Sequence, residues 1–144
     1  MRQISELRIL IVDDEPFVRA IMEKILRTLG VREVSAVADG AAALECVVRL
    51  CPDAVFCDIH MQPMDGFKLV EAIRRHADEQ VRRTSLIMLT GSDAGTEAVR
   101  AVRMGVDGYL LKPASVQRVQ DILTTLLRKR DKPDSDTEEP TGTL

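Results

Sequence analysis

The sequence predicts an α/β fold in which five parallel strands form one doubly wound sheet, (βα)5, with helices on both faces. Short aliphatic runs alternate five times with amphipathic stretches, a pattern typical of successive strand–helix units. Hydrophobic residues make up 45% of the 144 positions, enough for the core of one domain. Each strand–helix–strand connection is expected to be right-handed.

The first strand and helix have clear signals. Leu7–Val12 is dense in branched aliphatic residues, as expected of a strand buried on both faces, and it ends at Asp13. Pro16 then stands where proline is tolerated in the first turn of a helix, and Gly30 ends that helix. Apolar residues recur between them at helical spacing: Phe17, Ile21, Ile25 and Leu29, with Val18, Met22 and Leu26 beside them.

Four more strands and helices follow in the same order. The strands are predicted at Val34–Ala38, Ala54–Cys57, Leu86–Leu89 and Gly108–Leu111. The helices are predicted from Ala41 to about Leu50, from Gly66 to about His76, from a cap at Ser92 or Asp93 to Gly105, and from a cap at Ser115 onward. The polar segment Ala77–Thr84 is predicted to be a connector.

The expected domain covers residues 7–130, after an N-terminal extension at 1–6. Residues 131–144 are acidic, contain proline and lack large apolar side chains, so we expect a disordered tail. We expect no output domain after the last helix. No run of about 18 apolar residues and no signal peptide occur, and the expected location is the cytoplasm.

Polar side chains follow four of the predicted strands. Asp13 and Asp14 follow the first, Asp58 the third, Thr90 the fourth and Lys112 the fifth. In a doubly wound sheet, ligands bind beyond the carboxyl ends of the strands, so we expect these side chains to share one crevice. Clustered carboxylates repel one another unless a cation is bound, and oxygen-only ligands favour Mg²⁺, or Mn²⁺, over zinc.

This set of residues predicts phosphoryl transfer. A carboxylate such as Asp58 is a competent nucleophile toward phosphorus, and a metal ion neutralises phosphate charge during transfer. Lys112 supplies a fixed positive charge, and Thr90 can donate a hydrogen bond to a phosphoryl oxygen. Each residue alone could be a helix cap, a β-propensity threonine or a surface turn. The prediction therefore depends on the whole set.

The motifs that carry these residues resemble those of the receiver domains of two-component response regulators, in particular the single-domain, CheY-like members. The resemblance extends from about Leu7 to Arg130. The matching segments are Ile11–Glu15, Asp58–Gly66, Leu89–Gly91 and Gly108–Pro113. It implies a flavodoxin-like fold with strand order 2-1-3-4-5.

The resemblance also implies a role for each acidic residue. It makes Asp58 the phosphorylated residue. Asp14 and Asp58 are implied as direct magnesium ligands together with the backbone carbonyl of His60, while Asp13 acts largely through a bound water. The implied cofactor is thus Mg²⁺, with Mn²⁺ as a substitute, and no organic cofactor is expected.

Three further residues gain roles from the same resemblance. Thr90 and Tyr109 match the switch pair, in which the hydroxyl moves toward the phosphoryl group and the ring turns inward. Lys112 contacts the phosphoryl group, and the Lys112–Pro113 bond is expected to be cis. The energetic cost of a cis peptide is modest only because the following residue is proline. His60 and Ser92 lie where the family adjusts the rate of phosphoryl hydrolysis.

The implied function is a phosphorylation-controlled signalling switch rather than an enzyme with an external substrate. A histidine kinase or a histidine phosphotransfer protein is the expected donor, and an unidentified protein is the expected target. The target would bind the face made by the fourth helix, fifth strand and fifth helix, and the protein would be a monomer or a phosphorylation-dependent homodimer. The alternative within the same fold is a phosphorelay intermediate or phosphate sink.

Several alternatives and departures accompany this interpretation. The net charge of −3 argues against broad nucleic-acid binding, and neither a nucleic-acid nor a membrane partner is expected. A haloacid-dehalogenase-type phosphatase is disfavoured because Asp13 and Asp14 are adjacent, and a flavin module because the chain has one Tyr and no Trp.

The sequence departs from the family pattern at two positions. Gln62–Pro63 places the loop proline one residue later than the family pattern, and Ala114 replaces a frequent aromatic residue.

Two other groups of side chains have ordinary interpretations. The three cysteines contain no C-x-x-C pair, so neither a disulfide framework nor a zinc site is predicted, and Cys57 is expected to be a small buried residue in a strand. Four arginines form a local basic cluster that could meet an acidic partner but is better explained as a solvated face. They are Arg74, Arg75, Arg82 and Arg83.

Overall fold

The computed structural model of the protein describes residues 2–91 and 95–131. In these ranges the strands are β1 Arg8–Val12, β2 Glu33–Val37, β3 Ala54–Asp58, β4 Ser85–Thr90 and β5 Gly108–Leu111. The helices are α1 Pro16–Thr28, α2 Gly40–Leu50, α3 Gly66–Arg74, α4 Glu79–Arg82, α5 Gly95–Arg103 and α6 Val116–Asp131. A 3₁₀ turn, Ile4–Glu6, precedes β1.

The five strands form one parallel sheet in the order β2-β1-β3-β4-β5, which confirms the predicted doubly wound topology. Its register sets the strand ends at nearly one level. Val12 pairs with Cys57, Asp58 pairs with Leu89, and Thr90 pairs with Leu111. Polar residues that end these strands therefore emerge side by side.

Each face of the sheet carries its own core, because alternate side chains of a strand point to opposite faces. Leu10, Val12 and Cys57 pack on one face with the apolar sides of α2 and α3. Ile11 and Phe56 pack on the other face with α1 and α6. This division of the helices makes the sheet doubly wound.

Helix α1 buries only part of the apolar stripe that its periodicity predicted. Phe17 and Ile21 belong to that stripe, but they are 75% and 37% exposed. Met22, Ile25 and Leu26 are the buried members of the stripe. Because apolar residues occupy two adjacent rows of this helix, spacing alone could not decide which row faces the sheet.

The connector between α3 and β4 contains a short helix that was not predicted. Helix α3 ends at Arg74, two residues earlier than expected, and α4 follows from Glu79 to Arg82. The Asp78 carboxylate accepts a hydrogen bond from the backbone N–H of Gln80 and so caps α4. Four residues carry too weak a periodicity to be recognised in a polar segment.

The residues before β1 contact the rest of the domain. Before β1, Arg2 forms an ion pair with Asp53, and Ile4 packs against the core that includes α1 and α6. The C-terminal residues predicted to be disordered lie outside the described residues, except for Asp131, the last residue of α6. In the described part of the chain, no helix has the length and apolar character needed to span a membrane.

Candidate functional site

The carboxyl ends of β1 and β3 bring together three carboxylates. Asp13 follows β1 and is fully buried, while Asp58 is the last residue of β3 and is 4% exposed. Asp14 is exposed at the mouth of the crevice. One oxygen from each of the three lies within 4.8 Å of the others, so the acidic cluster predicted from the strand ends is formed.

Lys112 extends into this cluster from the end of β5. Its Nζ lies 2.9 Å from Asp13 Oδ2, 3.2 Å from Asp58 Oδ1 and 3.4 Å from Glu15 Oε1. The Lys112–Pro113 peptide is cis, as the resemblance implied, and the Lys112 backbone N–H donates to the Thr90 carbonyl at 2.7 Å. The ammonium group thus partly compensates the negative charge of the crevice.

Asp58 and Lys112 affect each other's pKa. Burial raises the pKa of the Asp58 carboxyl, the Asp13 charge raises it further, and Lys112 partly opposes both effects. Burial by itself lowers the pKa of Lys112, but contacts with Asp13 and Asp58 outweigh burial, and the net pKa lies above its usual value. Lys112 therefore remains a cation across the neutral range.

The loop after β3 is held close beneath Asp58. The Gly66 N–H donates to the Ile59 carbonyl at 2.8 Å, and a Cβ at Gly66 would collide with the backbone carbonyl oxygen of Asp58. Asp65 caps α3 by accepting a hydrogen bond from the Lys68 N–H at 2.8 Å. The Gln62–Pro63 peptide is cis, and the displaced proline still leaves the three aspartates clustered.

Thr90 is fully buried at the end of β4, beside the site. Its hydroxyl donates a hydrogen bond to Glu97 Oε1 at 3.4 Å, and Glu97 Oε2 lies 2.9 Å from His60 Nε2. Glu97 was missed in the sequence because an acidic residue in the first turn of a helix is commonplace.

Two further residues were given roles from the sequence. Tyr109 is half-buried against the core on the α2–α3 face, and Ser92 lies outside the described residues.

Cys57 is buried in β3, as predicted. Its thiol donates to the Asp58 carbonyl at 3.2 Å. Burial raises the pKa of the thiol far above its usual value, and the charge of Asp58 raises it further. The thiol therefore stays protonated beside the site.

The chemistry of this crevice fits a hard divalent cation. The clustered groups are all carboxylates, and oxygen ligands of this kind are those that Mg²⁺ prefers. A cation bound there would relieve the repulsion between Asp13 and Asp58 that the single ammonium of Lys112 only partly offsets. The site therefore combines a nearly buried carboxylate, a cluster of acidic oxygens that suits a cation, and a lysine.

Comparison with known proteins agrees with this geometry. A family model described as the response regulator receiver domain matches residues 9–124. The Regulator of RpoS of Escherichia coli K12 is 35% identical over 121 residues, which are 83% of this chain and 34% of that protein. The probable transcriptional regulator ycf27 of Porphyridium aerugineum is 32% identical over 133 residues, 92% of this chain and 53% of the relative. The chain thus spans about half, or less, of these relatives.

Solved structures give the same result. The chemotaxis protein CheY4 of Vibrio cholerae superposes with a TM-score of 0.76 at 28% identity, covering 83% of this chain and 98% of CheY4. The receiver domain of the sensor histidine kinase PA1611 from Pseudomonas aeruginosa PAO1 has a TM-score of 0.75 at 33% identity, covering 83% and 96%. That structure contains a magnesium ion coordinated in its active-site cleft.

Proposed function

The chain belongs to the family of response regulator receiver domains of two-component systems, and from that membership we propose that its Asp58 accepts a phosphoryl group from a histidine kinase or histidine phosphotransfer protein. One observation carries the proposal. Asp58 is a nearly buried carboxylate at a strand end, with two further carboxylates and the ammonium of Lys112 around it. A purely structural ion pair would not require three acidic groups in one crevice.

Asp13, Asp14 and Asp58, with the backbone carbonyl of His60, would hold Mg²⁺, with Mn²⁺ as a substitute. The bound ion would supply positive charge that neutralises the transferring phosphoryl group. The exposed position of Asp14 at the crevice mouth, beside the buried Asp13, suits a site that a hydrated cation enters from solvent. The magnesium ion in the related PA1611 receiver domain supports this assignment.

The side chains that this chain contributes to the transfer already converge in the crevice. A carboxylate oxygen of Asp58 attacks the phosphorus of a phosphohistidine on the donor, and an aspartyl phosphate forms. The P–N bond breaks, and its electron pair returns to the imidazole nitrogen of the donor. Lys112, already 3.2 Å from Asp58 Oδ1, is positioned to pair with a phosphoryl oxygen. The chain's own catalytic role is limited to gaining and losing this group.

Phosphorylation would shift a pre-existing equilibrium between two states of the domain. Thr90 and Tyr109 would relay the new charge to the surface made by α5, β5 and α6, which are the fourth helix, fifth strand and fifth helix expected from the sequence. Thr90 ends β4, which lies between the strand of Asp58 and β5, and Tyr109 belongs to β5 itself, so the pair connects the site with that surface. A partner protein would read the change there.

The expectation that nucleic acid plays no part is not retained. Relatives of this chain are named transcriptional regulators, and the chain matches only part of their length. The donor and the target of this chain stay proposals by chemical class: a phosphohistidine donor and a protein that distinguishes the two states.

Intact mass after incubation with acetyl phosphate tests the proposal. The wild type should gain the mass of one HPO₃ unit only with Mg²⁺, and Asp58→Asn should gain none. Asp121→Asn is the matched control, because Asp121 lies on the exposed side of α6, and it should behave like wild type. If no adduct forms and beryllofluoride with Mg²⁺ also leaves the protein unchanged, the switch function is wrong and phosphorylation-independent docking replaces it.

A further inference from the structure

Glu97 connects two parts of the site that the proposed mechanism treats separately. It lies in the first turn of α5, and its carboxylate contacts Thr90 from β4 through one oxygen and His60 from the β3–α3 loop through the other. Its side chain is only 22% exposed. The three residues are brought together by tertiary structure from three separate elements.

The contact with Thr90 competes with the function proposed for that residue. A threonine hydroxyl has one hydrogen to donate. While Thr90 donates it to Glu97 Oε1, the same hydrogen is not available to a phosphoryl oxygen on Asp58. The two hydrogen bonds are therefore alternatives.

The contact with His60 keeps the Glu97 carboxylate in place. His60 Nε2 lies 2.9 Å from Oε2 and fixes the second oxygen, so the first stays directed at Thr90. His60 follows Asp58 by two residues, and its backbone N–H is 3.4 Å from Asp58 Oδ1. A change at Asp58 can thus reach Glu97 through Thr90 and through this loop.

We propose that Glu97 is a positioning residue that restrains Thr90 in the unphosphorylated state. On phosphorylation the Thr90 hydroxyl leaves Glu97 for the phosphoryl group, and the first turn of α5 loses this contact with β4. The inference rests on the proposed function of Asp58 and Thr90. It adds a specific contact that opposes activation and that connects the switch directly to the α5–β5–α6 surface.

Removal of this restraint should make the active state easier to reach. Beryllofluoride, a phosphoryl mimic, should therefore bind more tightly in the presence of Mg²⁺ when Glu97 cannot hold Thr90. A net hydrogen bond contributes about 1 kcal/mol, so the Kd should fall about fivefold. The chain has one tyrosine and no tryptophan, so tyrosine fluorescence reports Tyr109 alone, and calorimetry gives the same Kd independently.

Three substitutions of Glu97 separate the hydrogen bond from simple charge. Glu97→Ala removes both, and Glu97→Asp keeps the charge on a side chain too short to reach Thr90. Glu97→Gln removes the charge but keeps an oxygen that accepts from the hydroxyl. The proposal expects tighter binding for the Ala and Asp variants, near wild-type binding for the Gln variant, and no gain when Glu97→Ala is added to Thr90→Val.

Other outcomes overturn the proposal in distinguishable ways. Equal Kd values for all variants mean that Glu97 does not restrain Thr90. Tight binding by Ala and Gln, with Asp like wild type, means that only the negative charge matters. If wild type itself does not respond to beryllofluoride and Mg²⁺, the proposed function fails, and the inference that rests on it fails with it.

Discussion

Lys112 Nζ lies 3.2 Å from Asp58 Oδ1, although the two residues end strands that are separated in the sheet by β4. The side chain of Lys112 therefore passes beside the end of β4 to reach the acidic cluster. Its pKa is raised there by Asp13 and Asp58, so the charge that would meet a phosphoryl group is in place before one arrives. This relationship makes the site testable without its signalling partners.

Asp58→Asn should stabilise the metal-free protein at neutral pH. Burial and Asp13 raise the pKa of Asp58 above its unfolded value, so the folded state binds this proton more tightly than the unfolded chain. In the wild type, the stabilisation that this bound proton gives to the folded state is present below the unfolded pKa and is lost as pH rises through the folded pKa. At pH 7 the wild type therefore holds a charged, buried carboxylate that the Asn variant lacks. Urea unfolding in EDTA should show the Asn variant more stable at pH 7.

The advantage of Asn should shrink as pH falls toward about 4, where an unfolded aspartate also gains its proton. Asp121→Asn, an exposed substitution of the same type on α6, is the matched control and should change stability at pH 7 by about 0.5 kcal/mol or less. An Asp58→Asn variant that is less stable than wild type at pH 7 would show that Lys112 outweighs burial and Asp13.

Asp14→Asn should abolish stabilisation by magnesium while leaving the fold intact. Asp14 is exposed, so its substitution should change the metal-free free energy of unfolding by about 0.5 kcal/mol or less. Mg²⁺ at a hundredfold excess over its Kd should stabilise wild type by about 2.7 kcal/mol, because it binds only the folded state. Thermal unfolding with and without Mg²⁺ measures both quantities.

Glu15→Gln is the matched control for the magnesium experiment. Glu15 is the neighbouring exposed carboxylate, and it does not belong to the three-aspartate cluster. It should retain the magnesium-dependent shift. An equal loss in both variants would indicate a diffuse effect of charge rather than coordination by Asp14.

Gly66→Ala should destabilise the protein by about 1–3 kcal/mol, the usual cost of overpacking. The added Cβ would meet the backbone of Asp58 and Ile59, which cannot yield as a flexible side chain could. Denaturant unfolding measures the loss. Gly95→Ala should leave stability nearly unchanged, since nothing lies within 4 Å of its Cβ position. Similar losses at both positions would exclude this steric explanation.

Arg74→Ala should cost about 2–3 kcal/mol, whereas Arg75→Ala should cost less than about 0.5 kcal/mol. The Arg74 guanidinium donates to the carbonyls of Thr84 and Gly105 and to the Asp107 carboxylate. Arg75 is 79% exposed and pairs only with Glu71 on its own helix among the described contacts. Urea unfolding of the two variants makes the comparison, and equal losses would contradict it.

The same contacts revise the interpretation of the arginine cluster. Arg75 and Arg83 are solvated, each paired with a glutamate one helical turn away. Arg74 and Arg82 instead bind backbone carbonyls of the α3–β4 connector and do not form a free basic surface. Sequence proximity showed that positive charges were present but not that half of them were used to hold a loop.

The sequence by itself determined the topology and the composition of the acidic site. Five aliphatic runs defined the strands, and parallel strands place their carboxyl ends at one edge, so Asp13, Asp58 and Lys112 had to converge. The cis Lys112–Pro113 bond followed from the resemblance of the motif. These features depend on local pattern and on a topology with few alternatives.

Tertiary structure alone decided how elements are rotated and what meets across them. The buried face of α1 depended on its fit to the sheet, because two adjacent rows of that helix are apolar. The contact of Glu97 with Thr90 and His60 joins three elements, and no spacing in the sequence encodes it. Such contacts depend on loop paths and helix orientation, which are set by packing of the whole domain rather than by any one segment.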